Sequence, residues 1–274
     1  MKKILFFILL FNVYYTLPVA IIHGFYDSCS NPFFTTLVKL LKYNVQDYSV
    51  CLETGEGSDS LSLSFEEQCE NACEKIKSNE KFQNDFSILS ISQGGLIARY
   101  IIQKCNMRGK VKNLVSFGGP MMGTSQVPYC LGGVSCYIIN SLVDYFVYFK
   151  YYQNNIGPAG YYRTAAHEDD FKKSKSFLAK LNNPSSEEKK RFTELNHLVL
   201  IGFKKDKMIS PKESAEFGIF DKKFNVKYMN QTDEYELIGL KELYENGKIE
   251  IHYIDGEHIE FDYDDVKKYA VPYL

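Results

Sequence analysis

The sequence predicts an α/β fold, a mostly parallel central sheet with helices on both faces. Two observations predict it. Short apolar runs of strand length alternate with segments of helical periodicity, and several of those runs end in Gly-containing turns. Strand, helix, strand repetition lays parallel strands side by side, because a crossover helix carries the chain back to where the previous strand began.

Each element rests on local signals. Pro18 to Ile22 is read as the first strand, ending at His23-Gly24. A helix over about Pro32 to Lys42 follows, with Asn31 as N-cap and Pro32 at the first position, where no N–H is needed. Val45 to Val50 is the next strand. Phe65 to Ile76 is a helix, since Phe65, Cys69, Ala72, Cys73 and Ile76 share one face. Phe86 to Ser90 is a strand running into Gln93-Gly94-Gly95; beyond it Leu96, Ile97, Tyr100, Ile101 and Cys105 recur at helical spacing. Val111 to Phe117 is a strand closed by Gly118-Gly119-Pro120. From 121 to 195 the rhythm breaks into Gly, Tyr and Asn, then Lys and Glu, with no clear strand. An insertion of that length reads as a lid or binding subdomain of the domain spanning 18–274. The pattern resumes with His197 to Phe203 and Ile249 to Ile254, and closes with a helix near Asp262 to Val271.

Composition narrows the function. Among 274 residues, 32 Lys and Arg oppose 34 Asp and Glu, for a net charge of −2. Phosphate-backbone binding needs a basic excess, so no nucleic-acid partner is expected. At 45% hydrophobic the chain buries a sizeable core, which excludes disorder. Lys2 and Lys3 before the apolar run from Ile4 to Phe11 read as a secretory signal peptide over 1–17, with a retained anchor as the alternative. No other segment is apolar enough to span a bilayer. The seven cysteines (Cys29, Cys51, Cys69, Cys73, Cys105, Cys130 and Cys136) lack zinc-ligand spacing, so no metal is expected. After export, three disulfides and one free thiol is the natural partition. Asn230-Gln231-Thr232 is a glycosylation acceptor, consistent with export.

The chemistry gathers at strand ends. Ser90-Ile91-Ser92-Gln93-Gly94 joins a buried strand to a helix, the setting in which a G-x-S-x-G elbow presents a nucleophilic Ser. Ser90 stands where that motif has its leading Gly, and a plain helix cap is the rival reading. Backbone N–H groups of Gln93 and of Phe25, in the loop after the first strand, would hold an oxyanion. His258 follows the last strand and Asp206 follows the strand before it. The chain order Ser, acid, His therefore selects Ser92, Asp206 and His258 as a triad. Asp27 and Asp255 are rival acids. His252 lies inside a strand, His23 precedes the nucleophile as a loop-packing residue, and His167 and His197 have no strand-end setting.

These residues resemble the palmitoyl-protein thioesterase family of the α/β-hydrolase superfamily. The likeness runs through His23-Gly24, Asp27-Ser28-Cys29, Ser92-Gln93-Gly94-Gly95, Ser116-Phe117-Gly118-Gly119 and Gly202-Phe203-Lys204-Lys205-Asp206. It continues with Ile209 and Pro211, Glu216-Phe217-Gly218, Gly239-Leu240-Lys241, Gly256-Glu257-His258 and the terminal Val271-Pro272-Tyr273-Leu274. The resemblance implies an α/β-hydrolase fold that removes long-chain fatty acyl groups from S-acylated cysteines or acyl-CoA, in lysosomes or outside the cell. No cofactor is implied. By the same resemblance Ser92 attacks, Asp206 and His258 complete the triad, and Phe25 and Gln93 donate N–H groups. It also implies disulfides Cys73–Cys105 and Cys130–Cys136. It supplies no counterpart for Cys51 and Cys69, whose pairing is an unsupported expectation, and it leaves Cys29 as the odd thiol.

Tyr137, Ile138, Ile139, Leu142, Val143, Phe146, Val147 and Phe149 of the insertion are expected to line an acyl groove; the alternative is that they only pack the subdomain. Two other functions remain open: a secreted lipase or carboxylesterase with an oxygen-ester preference, and a lipid carrier without turnover.

Overall fold

The computed structural model describes residues 16–127 and 134–274. The expected signal peptide lies, apart from its last two residues, outside the described residues. Among the described residues eight strands are formed: β1 (Val19–Ile22), β2 (Ser49–Leu52), β3 (Phe86–Ile91), β4 (Val111–Phe117), β5 (His197–Phe203), β6 (Ile219–Phe220), β7 (Val226–Lys227) and β8 (Ile249–Ile254). Six of them build one sheet in the order β2-β1-β3-β4-β5-β8, with every neighbouring pair parallel. The β6–β7 pair forms a separate antiparallel hairpin.

Alternation along the strands divides the core. Ala20, Ile22, Ile88, Leu114, Leu198 and Leu200 face one side, while Val19, Ile21, Leu89, Val115, Val199 and Ile201 face the other. The second face is covered by α1 (Pro32–Asn44), through Phe34, Leu37 and Leu41, and by α12 (Tyr263–Tyr269), through Val266. On the first face lie α3 (Phe65–Ser78) and α4 (Gly94–Lys104). Asn31 accepts from the Phe33 N–H with Pro32 at the helix start, so α1 begins where its capping residues dictate. A Ser64–Glu67 capping box starts α3. The short α2 (Asp59–Ser62) precedes it.

Between β4 and β5 the chain forms α5 (Val134–Phe146), α6 (Lys150–Asn155), α7 (Glu168–Lys173), α8 (Phe177–Leu181) and α9 (Ser186–Thr193). The helices α10 (Glu234–Leu237) and α11 (Leu240–Glu245) lie between β7 and β8. Arg163, nearly buried, is held by Glu168 at 2.5 Å and Glu234 at 2.9 Å, with its guanidinium 4.7 Å from the centre of the Phe171 ring. That pairing ties the insertion to α10. Among the described residues no helix is long and apolar enough to cross a membrane.

The second strand begins later than expected, at Ser49 rather than Val45. Val45 instead caps α1, its N–H donating to Leu41 O, and Gln46 turns the chain at φ +53°. A buried Val there serves the helix end, not the sheet.

The cysteines match expectation in one bond and differ in another. Cys73 pairs with Cys105 as expected, but Cys51 pairs with Cys29, not Cys69. The register explains the first bond. Ile22 lies beside Leu52, so the loop leaving β1 passes over the end of β2, where Cys51 and Cys29 sit with Cα atoms 5.6 Å apart. Cys69 points into the core from α3 as a buried free thiol. The expected partner of Cys136, Cys130, lies outside the described residues.

Candidate active site

Parallel register sets the site. Ile22 pairs with Ser90, Ser90 with Ser116, and Phe203 with Ile254, so the C-terminal ends of β1, β3, β4, β5 and β8 converge. Chain order alone then brings Phe25, Ser92, Gly118, Asp206 and His258 to one edge of the sheet.

At the end of β3 the chain turns sharply into α4. Ser92 adopts φ +50°, a left-handed conformation that L residues rarely take, and donates its N–H to Phe117 O at 2.8 Å. The turn is possible because its neighbours lack side chains. A Cβ on Gly94 would lie 2.6 Å from both Ile22 O and His23 O, and one on Gly95 would lie 2.7 Å from Ser116 Oγ. Ser90 is no obstacle, since the positive φ falls on Ser92 and Ser90 is an ordinary buried strand residue whose hydroxyl donates to Val115 O.

Ser92 Oγ lies 2.8 Å from His258 Nε2, and His258 Nδ1 lies 2.6 Å from Asp206 Oδ2. The other Asp206 oxygen accepts N–H bonds from Met208 at 2.8 Å and Ile209 at 3.0 Å, which fix the carboxylate. The side chains of Asp206 and His258 are buried. This chain of contacts fixes the tautomer that leaves Nε2 free to take the Ser92 proton, and it places a carboxylate to stabilise the resulting imidazolium.

The loop after β1 closes on the same point. Gly24 passes so close that a Cβ there would touch Ser92 Cβ at 3.2 Å, and Phe25 lines the same cavity as Ser92. Among the described residues, the N–H groups of Phe25 and Gln93 have no hydrogen-bond partner. Gln93 also caps the N-terminus of α4, whose dipole favours negative charge at that point.

The remaining candidates go elsewhere. His252 packs against Tyr269 with ring centres 5.0 Å apart and lies 3.6 Å from Glu250. His197 packs against Tyr273, and His167 is exposed beside Asp170. Asp27 accepts from Ser28 N and Asn31 Nδ2, while Asp255 pairs with Lys205 at the surface. Buried His23 directs Nδ1 to Gly24 O at 2.9 Å and Nε2 to Glu53 Oε1 at 2.6 Å. Those two residues and Cys29 are the one group of possible metal ligands gathered among the described residues. Cys29 is bonded to Cys51, however, so its sulfur is not a thiolate ligand.

Beside Ser92 opens an apolar cavity of about 490 Å³. Of the eight insertion residues expected there, Leu142, Val143, Phe146 and Val147 line it. Tyr137, Ile138, Ile139 and Phe149 do not and are largely exposed. Rotation about the helix separates Tyr137 from Leu142, Val143 and Phe146, whereas Ile139 shares their face but lies one turn nearer the start of α5, away from the cavity. The rest of the lining includes Tyr152, Ile156, Pro158, Ala159, Tyr161 and Tyr162. No periodic signal marks that Gly- and Tyr-rich stretch, which forms a short 3₁₀ turn at Gly157–Tyr161.

A parallel sheet with a strained Ser between strand and helix, followed in chain order by Asp and His at later strand ends, defines an α/β-hydrolase. The chain belongs to the palmitoyl protein thioesterase family, whose model matches residues 18–258. Palmitoyl-protein thioesterase 1 of Caenorhabditis elegans is 32% identical over 259 residues, covering 89% of this chain and 86% of that protein. Palmitoyl-protein thioesterase 3 of Dictyostelium discoideum is 27% identical, covering 94% and 92% respectively. The lysosomal thioesterase PPT2 of Mus musculus is 26% identical over 240 residues, covering 85% of this chain and 78% of that protein.

Proposed function

We propose that the protein is a serine thioesterase that removes long-chain fatty acyl groups from S-acylated cysteines of proteins or peptides, or from acyl-CoA, through an acyl-enzyme. The observation that carries this reading is the 2.8 Å contact between Ser92 Oγ and His258 Nε2 at the wall of an apolar cavity. Family membership and the names of the relatives support the thioester class.

His258 takes the Ser92 proton as the hydroxyl oxygen attacks the thioester carbonyl, and Asp206 stabilises the imidazolium. The carbonyl oxygen becomes an oxyanion held by the N–H groups of Phe25 and Gln93. The C–S bond then breaks. A cysteine thiolate, with a conjugate-acid pKa near 8.5, leaves with less protonation than an amine needs. His258 passes the proton it took from Ser92 to the departing sulfur; the neutral imidazole then deprotonates a water that attacks the Ser92 ester, and the fatty acid departs as Ser92 takes that proton back from His258. The acyl chain lies along Leu142, Val143, Phe146 and Val147, each buried CH₂ contributing about 0.8 kcal/mol. Lysosomal or extracellular delivery fits the disulfides Cys29–Cys51 and Cys73–Cys105 and the lysosomal relative. The insertion over 121–195 serves as the acyl-binding subdomain, and exposed Asn230 as a glycan acceptor.

The test compares palmitoyl thioesters with palmitoyl oxygen esters, using the purified protein and Ser92→Ala. Thioester turnover that falls by at least 10³-fold in Ser92→Ala is expected. A clear oxygen-ester preference would make the protein a carboxylesterase, and tight fatty-acid binding without turnover would make it a carrier.

A further inference from the structure

The mechanism uses the backbone of Gln93, but its side chain enters a buried polar network that reaches the other oxyanion arm. Tyr161 donates its hydroxyl to Gln93 Oε1 at 3.0 Å, and Gln93 Nε2 donates to Gln68 Oε1 at 2.8 Å. Gln68 Nε2 donates to Ser60 O at 3.0 Å and Leu63 O at 3.1 Å. Ser60 Oγ in turn accepts the Tyr26 N–H at 2.8 Å and donates to Gly57 O at 2.7 Å. Gln68 and Ser60 are fully buried, and Gln93 is 1% exposed. Both hydrogens and the carbonyl oxygen of the Gln68 amide are thus engaged, so its orientation is fixed.

Tyr26, the residue after Phe25, is held at φ +59°. One amide on α3 therefore braces both N–H groups from behind, Gln93 directly and the Phe25-Tyr26 turn through Ser60. Gln68 is not among the residues lining the cavity. We propose that Gln68 is a positioning residue that sets the spacing of the Phe25 and Gln93 N–H groups around the oxyanion. The proposal rests on Ser92 being the nucleophile, and it extends that reading to a residue with no contact to the substrate. Oxyanion donors act only when aimed at where the charge develops, and displacement by about 1 Å costs on the order of 10²-fold in rate.

The experiment uses Gln68→Met, Gln68→Glu and Ser60→Ala in the full chain, with the fraction of competent sites counted by a fluorophosphonate label. Gln68→Met is expected to lower kcat about 10- to 100-fold with KM within about threefold. It should weaken a fatty trifluoromethyl ketone, which forms a tetrahedral oxyanion on Ser92, by the same factor as kcat, and leave palmitate affinity unchanged. Gln68→Glu keeps the acceptor but turns a carboxylate toward two carbonyl oxygens, so its activity relative to wild type should recover as the pH is lowered and the acid becomes a donor. Ser60→Ala should show the same kcat-selective loss in milder form, which keeps the test decisive if Gln68→Met does not fold. Variants that fold and retain kcat and ketone affinity within threefold overturn the proposal, as does an equal loss of palmitate and ketone binding. Full turnover in Ser92→Ala would instead overturn the underlying assignment of the nucleophile, whatever the Gln68 variants do.

Discussion

His258 Nδ1 lies 2.6 Å from Asp206 Oδ2 across 52 residues of sequence, and neither side chain has appreciable contact with solvent. Parallel pairing of β5 with β8 produces that proximity, since Asp206 and His258 each follow the end of one of these neighbouring strands. Asp206→Asn keeps the shape but offers an N–H or a neutral oxygen to Nδ1, disturbing the tautomer that leaves Nε2 as the base. We expect kcat to fall by about 10³- to 10⁴-fold with little change in melting temperature. His258→Ala should lose as much, whereas His252→Ala, which removes a ring packed against Tyr269, should keep turnover within about threefold. A collapse in His252→Ala equal to that in His258→Ala would show the wrong imidazole had been chosen.

The elbow separates what the motif requires from what it merely contains. Ser90 occupies the leading Gly position yet keeps a negative φ, so Ser90→Gly relieves no strain and removes a buried hydroxyl bond to Val115 O. Turnover should stay within about threefold while stability falls by about 1 kcal/mol. Gly94→Ala should behave oppositely, because its Cβ would collide with two β1-end carbonyl oxygens at 2.6 Å. Soluble yield and activity should both drop sharply. Steady-state rates with thermal melts on the two variants check this, and a Gly94→Ala enzyme of wild-type activity would contradict the packing.

The strands and the meeting of Ser92, Asp206 and His258 were legible because each rests on short-range signals and chain order: Val111–Phe117, His197–Phe203 and Ile249–Ile254 form where the apolar runs fall. What was not legible depends on contacts between distant segments. Nothing local to Cys51 distinguishes Cys29 from Cys69 as its partner; the choice follows from β1 and β2 lying side by side. Gln68 reads as one more polar residue of a helix until the fold puts Gln93 beside it. Cavity residues such as Pro158 and Ala159 come from a 3₁₀ turn without periodicity, so only the part of the lining that α5 supplies could be anticipated.

That α5 face gives a prediction about chain length. Val143 lines the cavity, so Val143→Phe removes room that an acyl tail would occupy. Losing space for about two methylenes at about 0.8 kcal/mol each should raise KM for a sixteen-carbon thioester about tenfold and leave an eight-carbon substrate nearly unchanged. Tyr137→Ser and Ile138→Ser, on the exposed side of the helix, should shift neither. Equal KM changes for both chain lengths in Val143→Phe would mean that the cavity does not hold the tail.

The cysteine assignment is testable by labelling. Burial raises the Cys69 thiol well above its ordinary range, and α3 shields it from solvent. Iodoacetamide mapped by peptide mass should modify Cys69 only after unfolding. Cys51→Ser, which opens the loop between Cys29 and Cys51, should cost about 2–4 kcal/mol, while Cys69→Ser should cost less than that. Rapid labelling of Cys29 in the native, unreduced protein would refute the pairing.

Glu216 links stability to pH. It is nearly buried and hydrogen-bonded to the Tyr253 hydroxyl, and burial raises its carboxyl above the ordinary 4.5, against the lowering effect of that hydrogen bond. A carboxyl with a raised native value keeps its proton longer when folded than when unfolded. The folded state therefore binds more protons across the window from 4.5 up to the raised value, and stability declines as pH climbs through it. Glu216→Gln removes that titration and still offers Tyr253 an acceptor. It should match wild type near pH 4 and melt higher at pH 7, and a thermal melt at each pH measures the difference. If Glu216→Gln melts lower than wild type at pH 7 by as much as at pH 4, the carboxylate is not the destabilising form, and an acidic compartment gains nothing from this pair.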